Sequence, residues 1–165
     1  MKYICLFICS FILSGILSNV CAQVDSQVNL SLNRPVTVSS TDYAPTPGEF
    51  AVDGEDDTGW RAMPGVFPQW ICVDLQAECS ITGIELFCEA DNKTPLTDII
   101  SNAVRGKTLG SEIFSSYASS YKVEVSLNNI TWKEIYTNKN SLGGRDRIEL
   151  NSIQQARFVR IVIEK

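Results

Sequence analysis

The chain contains no histidine. That one absence removes the commonest general base and the commonest transition-metal ligand together. It is also poor in positive charge: 14 Lys and Arg stand against 19 Asp and Glu, for a formal net charge of −5. An acidic surface without a basic stripe argues against nucleic acid and against anionic membrane surfaces as partners. No long amphipathic helical pattern, internal repeat or low-complexity tract occurs, which excludes helical bundles and solenoids. The six cysteines form neither a disulfide framework nor a zinc pattern. Cys5, Cys9 and Cys21 fall in the N-terminal segment, so Cys72, Cys79 and Cys88 remain, an odd set. Cys88 continues the Ile84, Leu86 alternation and reads as a small core residue. A Cys72–Cys79 bridge is geometrically possible, and buried inert thiols are the preferred reading.

What is present begins with a leader. Met1-Lys2 gives a positive start, Ile4 to Ile16 is almost continuously apolar, and Val20-Cys21-Ala22 ends in small residues. This predicts a secretory signal peptide over residues 1–22, cleaved after Ala22, and a secreted, periplasmic or cell-surface protein. The apolar run is short of the ~20 residues of a membrane span and no stop-transfer charges follow, so no integral span is expected. Acylation at Cys21 is the alternative, although Val20 stands where a lipoprotein leader carries a smaller residue. Gln23 to Lys165 then has the length of one domain.

Short β-type runs separated by turn residues dominate that domain: Val36–Ser39, Gln69–Leu75, Ile81–Glu89, Tyr121–Ser126, Trp132–Thr137, Arg147–Leu150 and Arg157–Ile163. Tyr121, Val123 and Val125 alternate with Lys122 and Glu124, and Val159, Ile161 and Ile163 with Phe158 and Arg160. This period of two marks half-buried strands. Leu127-Asn128-Asn129-Ile130 closes a hairpin. The expected class is all-β, a sandwich. Residues 91–119 are rich in Ser, Thr, Gly and Asn, with a helical stretch near Thr97 to Val104, and read as a long loop insertion at one end of the sandwich.

Five motifs in order resemble the F5/8 type C (discoidin) family. Asn29-Leu30 through Pro35-Val36-Thr37-Val38-Ser39-Ser40 is similar to its opening strand. Ala51-Val52-Asp53-Gly54 with Thr58-Gly59-Trp60 looks like its turn signature. Pro68-Gln69-Trp70-Ile71 through Asp74-Leu75, Tyr121 to Ser126 with Trp132, and Ala156-Arg157-Phe158-Val159-Arg160-Ile161 resemble its later strands. The resemblance implies a jelly-roll-like sandwich of about eight antiparallel strands, akin to bacterial family 32-type carbohydrate-binding modules. It implies a non-catalytic domain that binds exposed sugars on a glycan or polysaccharide, at the front of a longer glycoside hydrolase. The alternative is a cell-surface adhesion domain that binds protein or lipid. Members continue past the Arg-Phe-Val-Arg-Ile strand into a final strand carrying an acidic residue; this sequence stops at Lys165, so the domain is expected to lack that strand.

The resemblance also implies a structural calcium in the Asp-Gly turn, held by Asp53, Asp56 and Thr58 with a carbonyl from Phe50–Ala51. Oxygen donors of this kind suit a hard cation; the bland reading is that Asp53 only caps the turn. Missing the final strand would weaken the ion, and Glu164 is the only late carboxylate. Sugar recognition needs an apolar face under the ring and polar groups around the hydroxyls. Tyr43, Arg61 and Phe67, in loops, are the expected ligand residues. Phe114, Tyr117, Arg105 and Arg145 rank behind them, and Trp60, Trp70 and Trp132 are expected in the core. Carboxylates are plentiful, but no nucleophile–base pairing is visible, so no enzyme is expected.

Overall fold

The computed structural model describes residues 4–10, 28–42, 46–88 and 117–165. Seven strands are found there: β1 Ile4–Ser10, β2 Val28–Asn29, β3 Val36–Val38, β4 Gln69–Cys88, β5 Tyr121–Ser126, β6 Lys133–Asn138 and β7 Gly144–Ile163. A single turn of 3-10 helix, Gly48–Ala51, lies between β3 and β4. All pairings are antiparallel, in the order β2-β1-β4-β7-β5-β6, with β3 also paired to β4.

Two of the strands are longer than their sequence suggests. Gln69–Leu75 and Ile81–Glu89 read as separate strands, and so do Arg147–Leu150 and Arg157–Ile163. In the structure each pair is joined into one strand of 20 residues, ending at Cys88 and starting at Gly144. The two run side by side, with register shifts at Asp74/Cys79 and Ile81/Gly83. Bulges bend and twist a strand without ending it, and here they turn the β4–β7 ladder through a corner. Gln76 sits at that corner with φ 66°, a left-handed conformation that its sequence does not advertise as a glycine would. Gln69–Asp74 pairs with Phe158–Ile163, and Gly83–Cys88 with Gly144–Glu149. Ile71 and Val73 from the first half and Ile84 and Leu86 from the second then enter one buried cluster.

Alternation decides which residues lie between the layers. Ile71 stands opposite Val38 and Ile161, and Val123 opposite Ile161 in turn; Val73 stands opposite Val36 and Val159. Ile71, Val73, Val123, Val159 and Ile161 join Ile84, Leu86, Cys88 and Ile148 in this cluster, with Val36 and Val38 partly buried against it; this is the core that hydrophobic burial stabilises. Trp60 belongs to it, at 1% exposure, and its indole Nε1 donates to the Ser40 carbonyl at 2.9 Å. Trp70 and Trp132 differ from the core placement expected of them: both are half-buried. With Ile71 and Val73 facing in, the pleat turns Trp70 to the outer face. Trp132 precedes β6 and carries the Arg160 guanidinium 3.9 Å over its ring.

Candidate functional site

One end of the sandwich gathers the loop residues of interest. β4 starts there at Gln69, opposite the last β7 residue, Ile163, which in turn stands opposite Tyr121 at the start of β5. Ser119 and Ser120 close onto the same end, their amides donating to the Lys165 carbonyl at 2.8 and 3.0 Å. Two loops, residues 39–42 and 60–68, are held together by a dense set of bonds. The Gln69 side chain is buried and accepts from the hydroxyls of Ser39 and Ser40, the latter at 2.8 Å. The Met63 amide donates to Ser40 Oγ at 3.0 Å, and the Asp42 amide to the Arg61 carbonyl at 2.9 Å. Arg61 Nη1 lies 3.3 Å from Asp42 Oδ2 in an ion pair.

This bracing turns the tip of the second loop outward. Gly65, at φ 76°, makes the turn with nothing within 4 Å of where a Cβ would stand. Val66 and Phe67 beyond it are 50% and 52% exposed, and Met63 is 38% exposed. An apolar ring and a partly exposed guanidinium are thus carried on one loop, tied to its neighbour by the Ser40 hydroxyl and the buried Gln69 side chain. Such a surface can stack under a pyranose ring and bond its hydroxyls.

Of the expected ligand residues, Arg61 and Phe67 therefore share one loop. Tyr43 lies outside the described residues, as do Phe114, Arg105 and the Thr97 to Val104 stretch. Tyr117 is half-buried against the core, and Arg145 stacks over Phe87 at 4.0 Å while pairing with Glu85 at 3.3 Å. Both have structural work that accounts for them. Sequence reasoning missed Met63, Val66, Asp42 and Gln69. The signal was faint: a Pro64-Gly65 turn flanked by apolar residues, with two serines ahead of it.

The Asp53 turn lies apart from this end, against the segment that leads to the corner. The Asn33 amide donates to the Val52 carbonyl at 2.7 Å, and Asp74 follows that segment with its amide on Pro35. Asp53 Oδ1 accepts from the Glu55 amide at 3.0 Å, and Oδ2 from the Thr58 hydroxyl at 2.7 Å. The same hydroxyl lies 3.4 Å from the Phe50 carbonyl and 3.3 Å from that of Glu55. One hydroxyl has one hydrogen, so it satisfies a single acceptor of the three. These bonds are those of a carboxylate capping its own turn, the simpler of the two expectations; a hard cation here would be held by the same knot of oxygens, those of Asp53, Thr58 and the two carbonyls. Asp56 is exposed and stands outside these bonds. Glu164 is engaged elsewhere, accepting from Ser120 Oγ at 3.2 Å. Among the described residues no group of three or more carboxylates or thiols gathers that could hold a metal.

The three thiols Cys72, Cys79 and Cys88 are free, and Cys72 and Cys88 are buried. Burial pushes the Cys72 thiol up to about 11 against a hydrogen bond from Thr37, and the Cys88 thiol up to about 12. Neither supplies a thiolate nucleophile near neutral pH.

Comparison with known proteins places this geometry. Residues 50–161 match the F5/8 type C model described as a NedA-like, galactose-binding domain. The chain belongs to the F5/8 type C family. A search of curated proteins finds no match for this F5/8 type C chain. Among solved structures it is similar to chitosan-binding module 1 of a chitosanase/glucanase from Paenibacillus sp. IK-5, at 29% identity and a TM-score of 0.64, covering 83% of this chain and 86% of that one. Module 2 of the same enzyme, solved in complex with chitotriose, is 27% identical with a TM-score of 0.65, covering 83% and 88%. CpGH89CBM32-5 from Clostridium perfringens, in complex with GalNAc-β-1,3-galactose, is 18% identical with a TM-score of 0.58 over 81% and 85%, a likeness of fold. The all-β sandwich expected from the sequence is the fold of these carbohydrate-binding modules.

Proposed function

We propose that this F5/8 type C domain is a secreted, non-catalytic module that binds exposed sugars of a glycan or polysaccharide through the 60–68 loop. The observation that carries the reading is the outward Phe67 ring on a loop braced by Gln69, with Arg61 on the same loop. The likeness to the chitosan-binding modules supports it, and so does the absence of histidine. Chitotriose is consequently the first ligand to try. Tyr43, which lies outside the described residues and follows Asp42 in sequence, is the third ligand residue of the proposal. Export by the leader, and a glycoside hydrolase on the same polypeptide, belong to the same proposal. Such a partner would raise avidity through effective concentration.

Glycan-array screening and titration with chitotriose test the reading. Phe67→Ala is expected to weaken binding about two- to tenfold, since aromatic stacking is worth ~0.5–1.5 kcal/mol and about 1.4 kcal/mol is a factor of ten. Thermal stability should not change, because the ring is half in solvent. Unchanged binding in both Phe67→Ala and Arg61→Ala would remove this loop from the site. Three exposed apolar side chains on one loop also favour a second reading, insertion into a lipid surface. Binding to neutral phosphatidylcholine vesicles, with no glycan bound, would decide for it.

We further propose that the oxygen knot at Asp53 and Thr58 takes a calcium ion as a structural ligand. Calcium should then raise the melting temperature by mass action, by about 2.7 kcal/mol of stability at a hundredfold excess over Kd. Asp53→Ala should abolish the rise. A melting temperature indifferent to calcium in the unsubstituted chain would remove the ion.

A further inference from the structure

The pairing of β1 singles out one sheet edge. Ile4–Ser10 lies between β2 and β4, with Ile4 opposite Cys88, Leu6 opposite Leu86 and Ile8 opposite Ile84, in unbroken register down to Cys9 opposite Gly83. Among the described residues β2 pairs with β1 alone. Yet these residues fall inside the leader expected to be cleaved after Ala22. Removing them would strip one edge of β4 of its partner from Gly83 to Cys88 and leave Val28–Asn29 with none. A row of unpaired amides and carbonyls beside the buried Ile84, Leu86 and Cys88 is a template for another strand.

We propose that Gly83–Cys88 is a strand-acceptor slot. It is filled in the full chain by its own Ile4–Ser10, and after removal of that segment it takes an extended, uncharged apolar strand of similar length in the same antiparallel register. The chemistry of the occupant follows from the slot. No charge occurs in Ile4–Ser10, and the one charged residue of the edge, Glu85, is already paired with Arg145 at 3.3 Å and Arg147 at 3.9 Å. A charged strand would find no counter-charge there. The slot is independent of the sugar reading, whereas its opening in the exported protein rests on cleavage of the leader.

The test separates those two points by cutting the folded full chain at a protease site engineered within residues 11–27. The amides of Gly83–Cys88 are then followed by hydrogen exchange. A labelled synthetic peptide spanning residues 3–11, with lysines added at its end for solubility, serves as the probe. After the cut, the peptide should exchange into the slot at one per chain, and the amides facing it should stay protected. The same peptide with Leu6→Pro should bind at least tenfold more weakly, since proline cannot donate to the ladder. In the uncut chain, Leu6→Pro should speed exchange at Gly83–Cys88 at least tenfold while leaving Ile71 and Ile161 protected. Either of two outcomes overturns the slot: protection that is indifferent to both the cut and the substitution, or a cut chain that dimerises through Gly83–Cys88 and ignores the peptide.

Discussion

Trp60→Ala is expected to lower the unfolding free energy by about 3–5 kcal/mol, the range for truncating a large buried aromatic. Trp60 is 1% exposed and the largest of the fully buried side chains. Truncation would leave a cavity between the layers, which a close-packed interior fills only in part. It would also take away the indole N–H that bonds the Ser40 carbonyl at 2.9 Å. Ser40 is the residue whose hydroxyl holds both the Met63 amide and the Gln69 side chain, so the damage runs into the braced loop. Urea unfolding should show a lower midpoint at unchanged slope, and sugar binding should fall with it. Phe67→Ala makes the complementary measurement, with binding lost and the midpoint kept. If Trp60→Ala weakened binding without lowering the midpoint, Trp60 would belong to the sugar site and the core assignment would be wrong.

The contrast between those two aromatics shows how far the sequence could be read. Strand positions were legible because the pleat has a period of two, and Val159 and Ile161 keep it against Phe158 and Arg160 until Val162, which is buried too. Trp60 was legible through the turn signature that precedes it. The continuity of β4 was not, because Gln76-Ala77-Glu78 is polar and turn-like, and nothing local says that its partner β7 bends with it. Bulged ladders are settled by pairing between residues some 80 apart, as in the bond of Arg157 Nε to Asp74 at 2.9 Å across the corner. The outward placement of Trp70 follows the same logic: alternation was visible, but its phase depends on which neighbours the other layer buries. At the candidate site, Arg61 and Phe67 were found by their chemistry. Gln69 was missed because a buried amide that organises two serines looks, in sequence, like any polar residue at the start of a strand.

Glu124 tests the outer face of the same layer. It stands opposite Arg160 and is buried, although it points away from the core. Arg160 Nε and Nη2 donate to its Oε2 at 2.9 and 2.5 Å, and Lys122 Nζ lies 2.8 Å from Oε1. Burial alone would raise the carboxyl's pKa, but the hydrogen bonds from Lys122 and Arg160 outweigh it and hold the group below the usual carboxylate range. Glu124→Gln would leave two cations facing a neutral amide, and breaking a buried pair from one side costs ~3–5 kcal/mol. Arg160 keeps 24% and Lys122 28% of their side-chain surface exposed, so the loss should sit at the lower end, about 3 kcal/mol. A carboxyl whose folded pKa is depressed contributes stability that is present above its unfolded value, ordinarily about 4.3. That stability is lost as pH falls through the folded value. The gap between the unsubstituted chain and Glu124→Gln should therefore be full at pH 7 and close progressively below about pH 4. Combining Glu124→Leu with Arg160→Met should restore part of the lost stability, since it removes the buried Glu124–Arg160 pair together, leaves only the Lys122 ammonium, 28% exposed to water, without its partner, and lets methionine pack on Trp132. A gap that persists unchanged at pH 3, or a double variant no more stable than Glu124→Gln, would mean that the side chain matters there for its shape and not for its charge.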